Sequence, residues 1–290
     1  MGCLFGDRSV LMKIAELQRK LHPLLVSAGV VFPDEELALI LEAVTGLPSD
    51  LLQRSAELTP QAASEVGSLV QRRVQGEPLH YITGAVDFRS LRLAIGPGAF
   101  IPRPGTVAVF ERAESALPRG GLVADVCTGC GAIALAIASE RPDAIVYGSD
   151  ISGEALAWAE GNRGRTGLEV TFLLGDLFDP LPADLVGRFD VIVSNPPHVP
   201  LSEARYLPRD VVDHEPPEAL FAGPDGLLII KRLASEAVGW LRPEGWLICE
   251  LGDSQSDEVT RQLRLLGYTD VAVCRDESSR RRVVEARLRA

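Results

Sequence analysis

The sequence predicts an α/β fold: a doubly wound, mostly parallel sheet of seven strands that follows an N-terminal bundle of helices. Three observations predict it. From about residue 104 onward, short apolar runs alternate with longer segments of helical spacing, as expected of a parallel sheet covered on both faces. Upstream of residue 77 the apolar residues recur at helical spacing. Three of the strand-like runs end in Asp150, Asp176 and Asn195, so polar groups gather where strands stop.

Residues 9–75 read as helical. VLMKIAELQRKLHPLLVSAG carries apolar residues at helical spacing. PDEELALILEAVTG opens on Pro33-Asp34 and stops at Gly46. In TPQAASEVGSLVQRRVQG, Thr59 is the expected N-cap, Pro60 the first helical residue and Gly76 the stop. From about 77 to 100 the pattern turns strand-like with glycine-rich turns, and YITGAVDFRSLRLAIGPGAFIP reads as a hairpin. The expected domains are therefore a helical domain over 1–76, a β-hairpin linker over 77–103 and the sheet domain over 104–290.

The sheet domain opens with the helix GTVAVFERAESAL. The strand GLVADVC then feeds the helix GAIALAIASE, followed by AIVYGSD, GEALAWAEGN, EVTFLLGD and FDVIVSN. The helix DGLLIIKRLASEAVGWL, the strand GWLICEL, the helix DSQSDEVTRQLRLLG and the strands TDVAVCRD and RRVVEARL complete it. Strand alternating with helix in this way makes the domain Rossmann-like.

Bulk properties exclude several classes. Asp and Glu outnumber Lys and Arg by 40 to 29, and a net charge of −11 argues against a general electrostatic grip on nucleic acid. No run approaches the roughly 20 apolar residues of a membrane span, the best being Ala132 to Ala138. The N-terminus lacks the order of a secretory signal, and Gly6 stands where an acylation signal beginning MG needs Ser or Thr. A cytoplasmic protein, monomeric or weakly dimeric and without membrane contact, is expected. Five cysteines, at 3, 127, 130, 249 and 274, are an odd number set mostly in strands or their ends, so disulfides are not expected.

The first strand ends in Asp125-Val-Cys-Thr-Gly-Cys-Gly131 and runs directly into a helix. Gly129 and Gly131 permit a tight turn and close approach of a ligand. Asp150 lies 19 residues beyond Gly131, where an acid suits the two hydroxyls of a ribose. Asp176 ends the third strand, near the expected place of an adenine. The third glycine of a dinucleotide fingerprint is missing, so a nucleoside cofactor without a pyrophosphate fits better than NAD. Each feature has a plainer reading: the glycines as a strand-to-helix turn, Asp150 or Ser152 as a helix cap. Cys127-Thr-Gly-Cys130 has the spacing of a redox motif. With isolated histidines at 22, 80, 198 and 214, small-residue packing under a cofactor is the preferred role, and no metal site is expected.

FDVIVSNPPHVP poses a different question, because proline cannot donate to a sheet ladder and holds the preceding residue extended. The strand must stop at Asn195. The stiff segment that follows is poor in N–H groups and leaves carbonyl oxygens free to accept from a donor.

With these residues in place, the chain resembles class I S-adenosylmethionine methyltransferases. More closely, it resembles the protein-(glutamine-N5) methyltransferases that modify bacterial peptide chain release factors. The resemblance runs along the chain: GEPLHYITGAVDF, FIPRPGT, Asn195-Pro-Pro, HEPPEAL and DGL match that family's motifs. Departures are His198 for its usual tyrosine, Cys127 for its first loop glycine, Gly105 for an acid and Leu177 for an aromatic. The resemblance implies S-adenosylmethionine bound along Asp125, Cys127, Thr128, Gly129, Cys130, Gly131, Asp150, Ile151, Asp176, Leu177 and Asn195. It implies catalytic roles for Asn195, Pro196, Pro197 and His198. The Asn195 side-chain oxygen and the Pro196 carbonyl would accept the two N–H bonds of the target amide, while His198 would stack, take a proton or only form a wall. The partner implied is a release factor or ribosomal protein docked by the helical domain. A small-molecule acceptor is the alternative that the departures motivate, and a non-catalytic binding module is a third. His214 and Glu215 are expected to fix a loop; Tyr81, Phe100 and Arg103 to pack.

Overall fold

A computed structural model describes residues 11–52, 57–275 and 279–290. Cys3, the MGCLFG start and the beginning of the expected first helix lie outside the described residues. The chain divides into two compact units. One holds the chain up to Ala85 together with Arg209–His214. The other holds Val86–Pro208 and Glu215–Ala290.

The first unit is helical. The short strands β1 (Met12–Lys13) and β2 (Glu57–Leu58) pair antiparallel beside helices α1 (Ile14–Ser27), α2 (Pro33–Thr45), α3 (Ser49–Leu52), α4 (Pro60–Val74) and α5 (Leu79–Thr83). Pro33 and three acids open α2 where the positive end of the helix dipole favours them, and Gly46 closes it at φ +69°. Thr59 caps α4 by accepting from the Ala62 N–H at 3.2 Å, and Arg72 and Arg73 occupy its last turn. Leu17, Leu21, Leu25, Ile40, Leu41, Val66 and Val70 form its buried core. Two expectations are corrected here. The first helix begins at Ile14, because Met12 and Lys13 pair with β2. Residues 79–83 are a helical turn rather than strand: Pro78 precedes it, and Gly84, at φ +72°, closes it through an N–H bond to the His80 carbonyl.

The second unit begins within β3 (Ala85–Phe88), which pairs with β4 (Leu91–Ala94) in a two-stranded sheet, followed by α6 (Pro104–Ala116). Then come β5 (Leu122–Val126), α7 (Ala132–Glu140), β6 (Ile145–Asp150), α8 (Gly153–Thr166), β7 (Thr171–Leu174) and β8 (Phe189–Ser194). The short α9 (Arg209–His214) groups with the helical unit, and α10 (Pro217–Leu220) follows in this one. The elements α11 (Leu228–Trp240), β9 (Leu241–Glu250), α12 (Ser256–Leu265), β10 (Tyr268–Arg275) and β11 (Arg281–Leu288) complete it.

Seven strands form one sheet in the order β10-β11-β9-β8-β5-β6-β7. The ladders among β9, β8, β5, β6 and β7 are parallel, and β11 runs antiparallel to both its neighbours. The expected doubly wound, mostly parallel sheet is therefore the fold found. Strands β5 and β8 are fully covered, which is why they read as continuous apolar runs. The chain winds outward from β5 through β6 and β7, then returns to β8 on the other side. The carboxyl ends of β5 and β8 thus form the topological switch point, where doubly wound sheets bind ligands.

Candidate active site

Register sets the site. Val126 of β5 lies opposite Ser149 of β6 and Ser194 of β8, and Ser194 lies opposite Cys249 of β9. The next residue on each strand therefore falls in one row along the carboxyl edge: Asp150, Cys127, Asn195 and Glu250. Three of these four are residues that the sequence singled out.

On the β5 side the chain turns sharply. Cys127 is left-handed at φ +62°, as are Gly129 at +59° and Gly131 at +84°. A non-glycine residue is uncommon there, and the position is the one where the resembled family carries glycine. Nothing lies within 4 Å of a Cβ built on Gly129, so the loop backbone is open to a ligand on that face. At Gly131 a Cβ would meet Phe172 at 2.9 Å, so this glycine serves helix-to-sheet packing.

Asp125 is buried beneath the loop. Its Oδ2 accepts from the Thr128 hydroxyl at 2.6 Å and the Ala134 N–H at 3.1 Å. Its Oδ1 is buried without a hydrogen-bond partner among the described residues. Burial pushes this carboxyl up to about 7. An unmatched buried acceptor beside an open glycine turn fits the ammonium group of the cofactor that the resemblance implies. Asp150 holds the turn from the other side: its carboxylate accepts from Gly129 N–H at 2.8 Å and Ser152 N–H at 2.9 Å. Burial raises its pKa, and the N–H bonds from Ser152, Gly129 and Ile151 oppose that. Ser152, not Asp150, caps α8, accepting from Ala155 N–H at 3.2 Å. Ile151 presents an exposed apolar side chain next to this carboxylate.

The remaining β-side residues divide. Asp176 is partly exposed and paired with Arg232 at 2.9 Å. Leu177, at φ +47°, turns its side chain into the core with Phe178 and Leu181, while its carbonyl accepts from Ser149. The thiols of Cys127 and Cys130 are pushed up by burial, that of Cys130 to about 12, so neither supplies a thiolate near neutral pH. The four cysteines among the described residues are free.

On the β8 side, Asn195 is half-buried and donates from Nδ2 to the Thr106 hydroxyl at 3.1 Å. Thr106 in turn donates to Oε2 of Glu250 at 2.9 Å, and both of these residues are buried. His198 Nδ1 lies 2.9 Å from the Pro196 carbonyl. A carbonyl can only accept, so Nδ1 carries the hydrogen of this bond. The segment is clamped from behind. Gln255 Nε2 donates to the His198 carbonyl at 2.7 Å, and a Cβ on Gly226 would come within 2.3 Å of that same oxygen. Glu215 is buried and accepts from the Ile101 N–H and the Arg103 guanidinium, which ties the 101–103 segment down.

Thr106 and Gly226 entered the sequence reading only as members of the FIPRPGT and DGL motifs, and Glu250 and Gln255 had no assigned part in it. An acid closing the apolar strand run GWLICEL was the available signal for Glu250. Gln255 carried none. Among the described residues no helix is long and apolar enough to cross a membrane.

Comparison with known proteins places the chain in a family. A family model described as Methyltransferase small domain matches residues 104–220, and one described as PrmC N-terminal domain matches residues 16–84. The Release factor glutamine methyltransferase of Mycolicibacterium smegmatis is 37% identical over 265 residues, covering 90% of this chain and 93% of that protein. Its counterpart from Deinococcus radiodurans is 36% identical over 283 residues, covering 95% of this chain and 99% of that protein. Among solved structures, a methyltransferase from Pyrococcus furiosus shares the fold at a TM-score of 0.54 and 20% identity, over 68% of this chain and 89% of that one.

Proposed function

The chain belongs to the release factor glutamine methyltransferase family, and from that premise we propose that it methylates the side-chain amide nitrogen, N5, of a glutamine in a peptide chain release factor, with S-adenosylmethionine as donor. The observation that carries the site assignment is the row of Asp150, Cys127 and Asn195 at adjoining strand ends. It sets a nucleoside-binding turn directly beside an asparagine with an anchored amide.

When bound, S-adenosylmethionine supplies an electrophilic methyl group on a sulfonium. Asp125, the Gly129–Gly131 turn and Asp150 would hold its ammonium and ribose, and Ile151, Asp176 and Leu177 would lie nearest the adenine. An amide nitrogen is a poor nucleophile because its lone pair is delocalised into the carbonyl. Asn195 Oδ1 and the Pro196 carbonyl would accept its two N–H bonds, fixing the nitrogen and leaving its lone pair free to take the methyl. Positioning of this kind is worth many orders of magnitude in effective molarity. No strong base is needed beforehand: the sulfonium's bond to the methyl carbon would break as the nitrogen's forms, leaving a neutral thioether, and the nitrogen would lose its proton to water afterwards. His198 holds the Pro196 carbonyl through Nδ1–H. Pro197 keeps Pro196 extended. The acceptor is a protein rather than a nucleic acid, in keeping with the net charge of −11. The enzyme works in the cytoplasm as a monomer or weak dimer.

The test is incubation with methyl-labelled S-adenosylmethionine and a purified bacterial release factor, followed by peptide mapping. Label recovered as N5-methylglutamine in one peptide is the expected result. Cofactor binding without label on the factor, or label on lysine or arginine, would overturn the assignment.

A further inference from the structure

We propose, building on the amide grip assigned above to Asn195, that Thr106 and Glu250 are positioning residues that determine which end of the Asn195 carboxamide faces the acceptor. A carboxamide has two orientations of nearly equal shape, and only one of them presents oxygen to an incoming NH2 group. The other would set donor against donor.

Hydrogen-bond direction decides between them. Thr106 lies in the first turn of α6, Glu250 closes β9 and Asn195 follows β8. The β8–β9 register places Ser194 opposite Cys249, so Asn195 and Glu250 occupy adjoining positions. A threonine hydroxyl has one hydrogen, and here it goes to Glu250 Oε2 at 2.9 Å. Toward Asn195, 3.1 Å away, Thr106 Oγ1 can then only accept. That draws Nδ2 inward and leaves Oδ1 facing the other way. The carboxylate at one end of the chain thus sets the polarity of the amide at the other. Thr106 and Glu250 are both buried, where water does not compete for the same bonds.

The experiment measures kcat on a release factor, cofactor affinity, and exchange of the Asn195 side-chain NH2 by 15N NMR on the full chain, with the signal assigned through its loss in Asn195→Asp. Thr106→Val lowers kcat roughly 10- to 100-fold, the scale of one buried hydrogen bond left unmade, with cofactor affinity within about twofold of the parent. Thr106→Ser recovers most of the rate. Glu250→Gln gives a smaller loss, because its amide oxygen can still accept from Thr106, whereas its NH2 in the other orientation donates and reverses the chain. The NH2 group exchanges slowly in the parent and in Thr106→Ser, and fast in Thr106→Val. Parental kcat in Thr106→Val alongside an inactive Asn195→Ala, or an NH2 that exchanges in the parent like an exposed amide, would overturn the relay. If Thr106→Val does not fold, parental kcat and parental exchange in Glu250→Gln would overturn it, and a loss in both would support it. The exchange readout needs no turnover. Failure of the parent to methylate a release factor would therefore count against the function, while an unprotected NH2 would count against the relay.

Discussion

The two halves of the sheet's carboxyl edge are built differently. At β5 and β6 the site is mostly backbone: a turn with three left-handed residues, N–H groups held by Asp150, and one buried carboxylate with an unmatched oxygen. At β8 and β9 it is mostly side chain: an asparagine anchored by Thr106 and Glu250, a histidine folded back on its own loop, and a glutamine pinning that loop from α12's approach. Residues 125–150 are enough to make the first half. The second draws on residues from 106 to 255. A local motif can cradle a cofactor, whereas aiming an amide lone pair needs supports from several elements.

The largest expected effect separates the halves outright. Asn195→Ala lowers kcat roughly a thousandfold or more by removing one of the two acceptors that orient the amide. Cofactor affinity, measured by calorimetry, stays near the parent's; a parallel loss of binding would merge the halves into one device.

Next comes Asp125, which belongs to the cofactor half. Asp125→Asn lowers cofactor affinity roughly 10- to 100-fold at pH 8, by the loss of a charged hydrogen-bond partner. In the parent, affinity falls as pH drops below about 7, because the carboxyl must ionise to meet an ammonium. Stability moves the opposite way. The native carboxyl keeps its proton up to about pH 7 while the unfolded one loses it near 3.8, so the native state binds more protons in that interval and stability falls as pH rises through it. Asp125→Asn flattens both profiles. Binding titrations and thermal melts across pH check them.

Gly226→Ala tests the clamp behind the acceptor half. Its Cβ would approach the His198 carbonyl at 2.3 Å at a backbone φ of +71°. Displacing the loop costs about 1–3 kcal/mol and lowers kcat about tenfold with little change in cofactor affinity. Chemical denaturation and steady-state kinetics separate the two effects. The smallest effect is expected at Cys127→Gly. Relief of the left-handed strain is worth about 1 kcal/mol, offset in part by the flexibility glycine adds to the unfolded chain. A melting temperature shifted by no more than a few degrees, with unchanged kinetics, is the result to look for.

By itself the sequence determined the fold class and the local turn on which the proposed cofactor half is built. Helical caps at Thr59 and Gly46, the strand-helix alternation and the Asp125–Gly131 turn are signals carried by neighbours in the chain, where local geometry is the cause. Asn195-Pro-Pro was legible for the same reason, since proline ends a strand wherever it stands. Where a glycine-rich stretch was read as strand, the five-residue helix at 79–83 shows that propensity yields to capping by Pro78 and Gly84. Tertiary structure alone decided what stands behind Asn195. Thr106, Glu250 and Gln255 meet the acceptor loop through strand register and helix placement, across 57 to 89 residues of chain for the direct bonds. A hydrogen bond over that separation leaves no periodicity to read, because the fold and not the spacing brings its partners together.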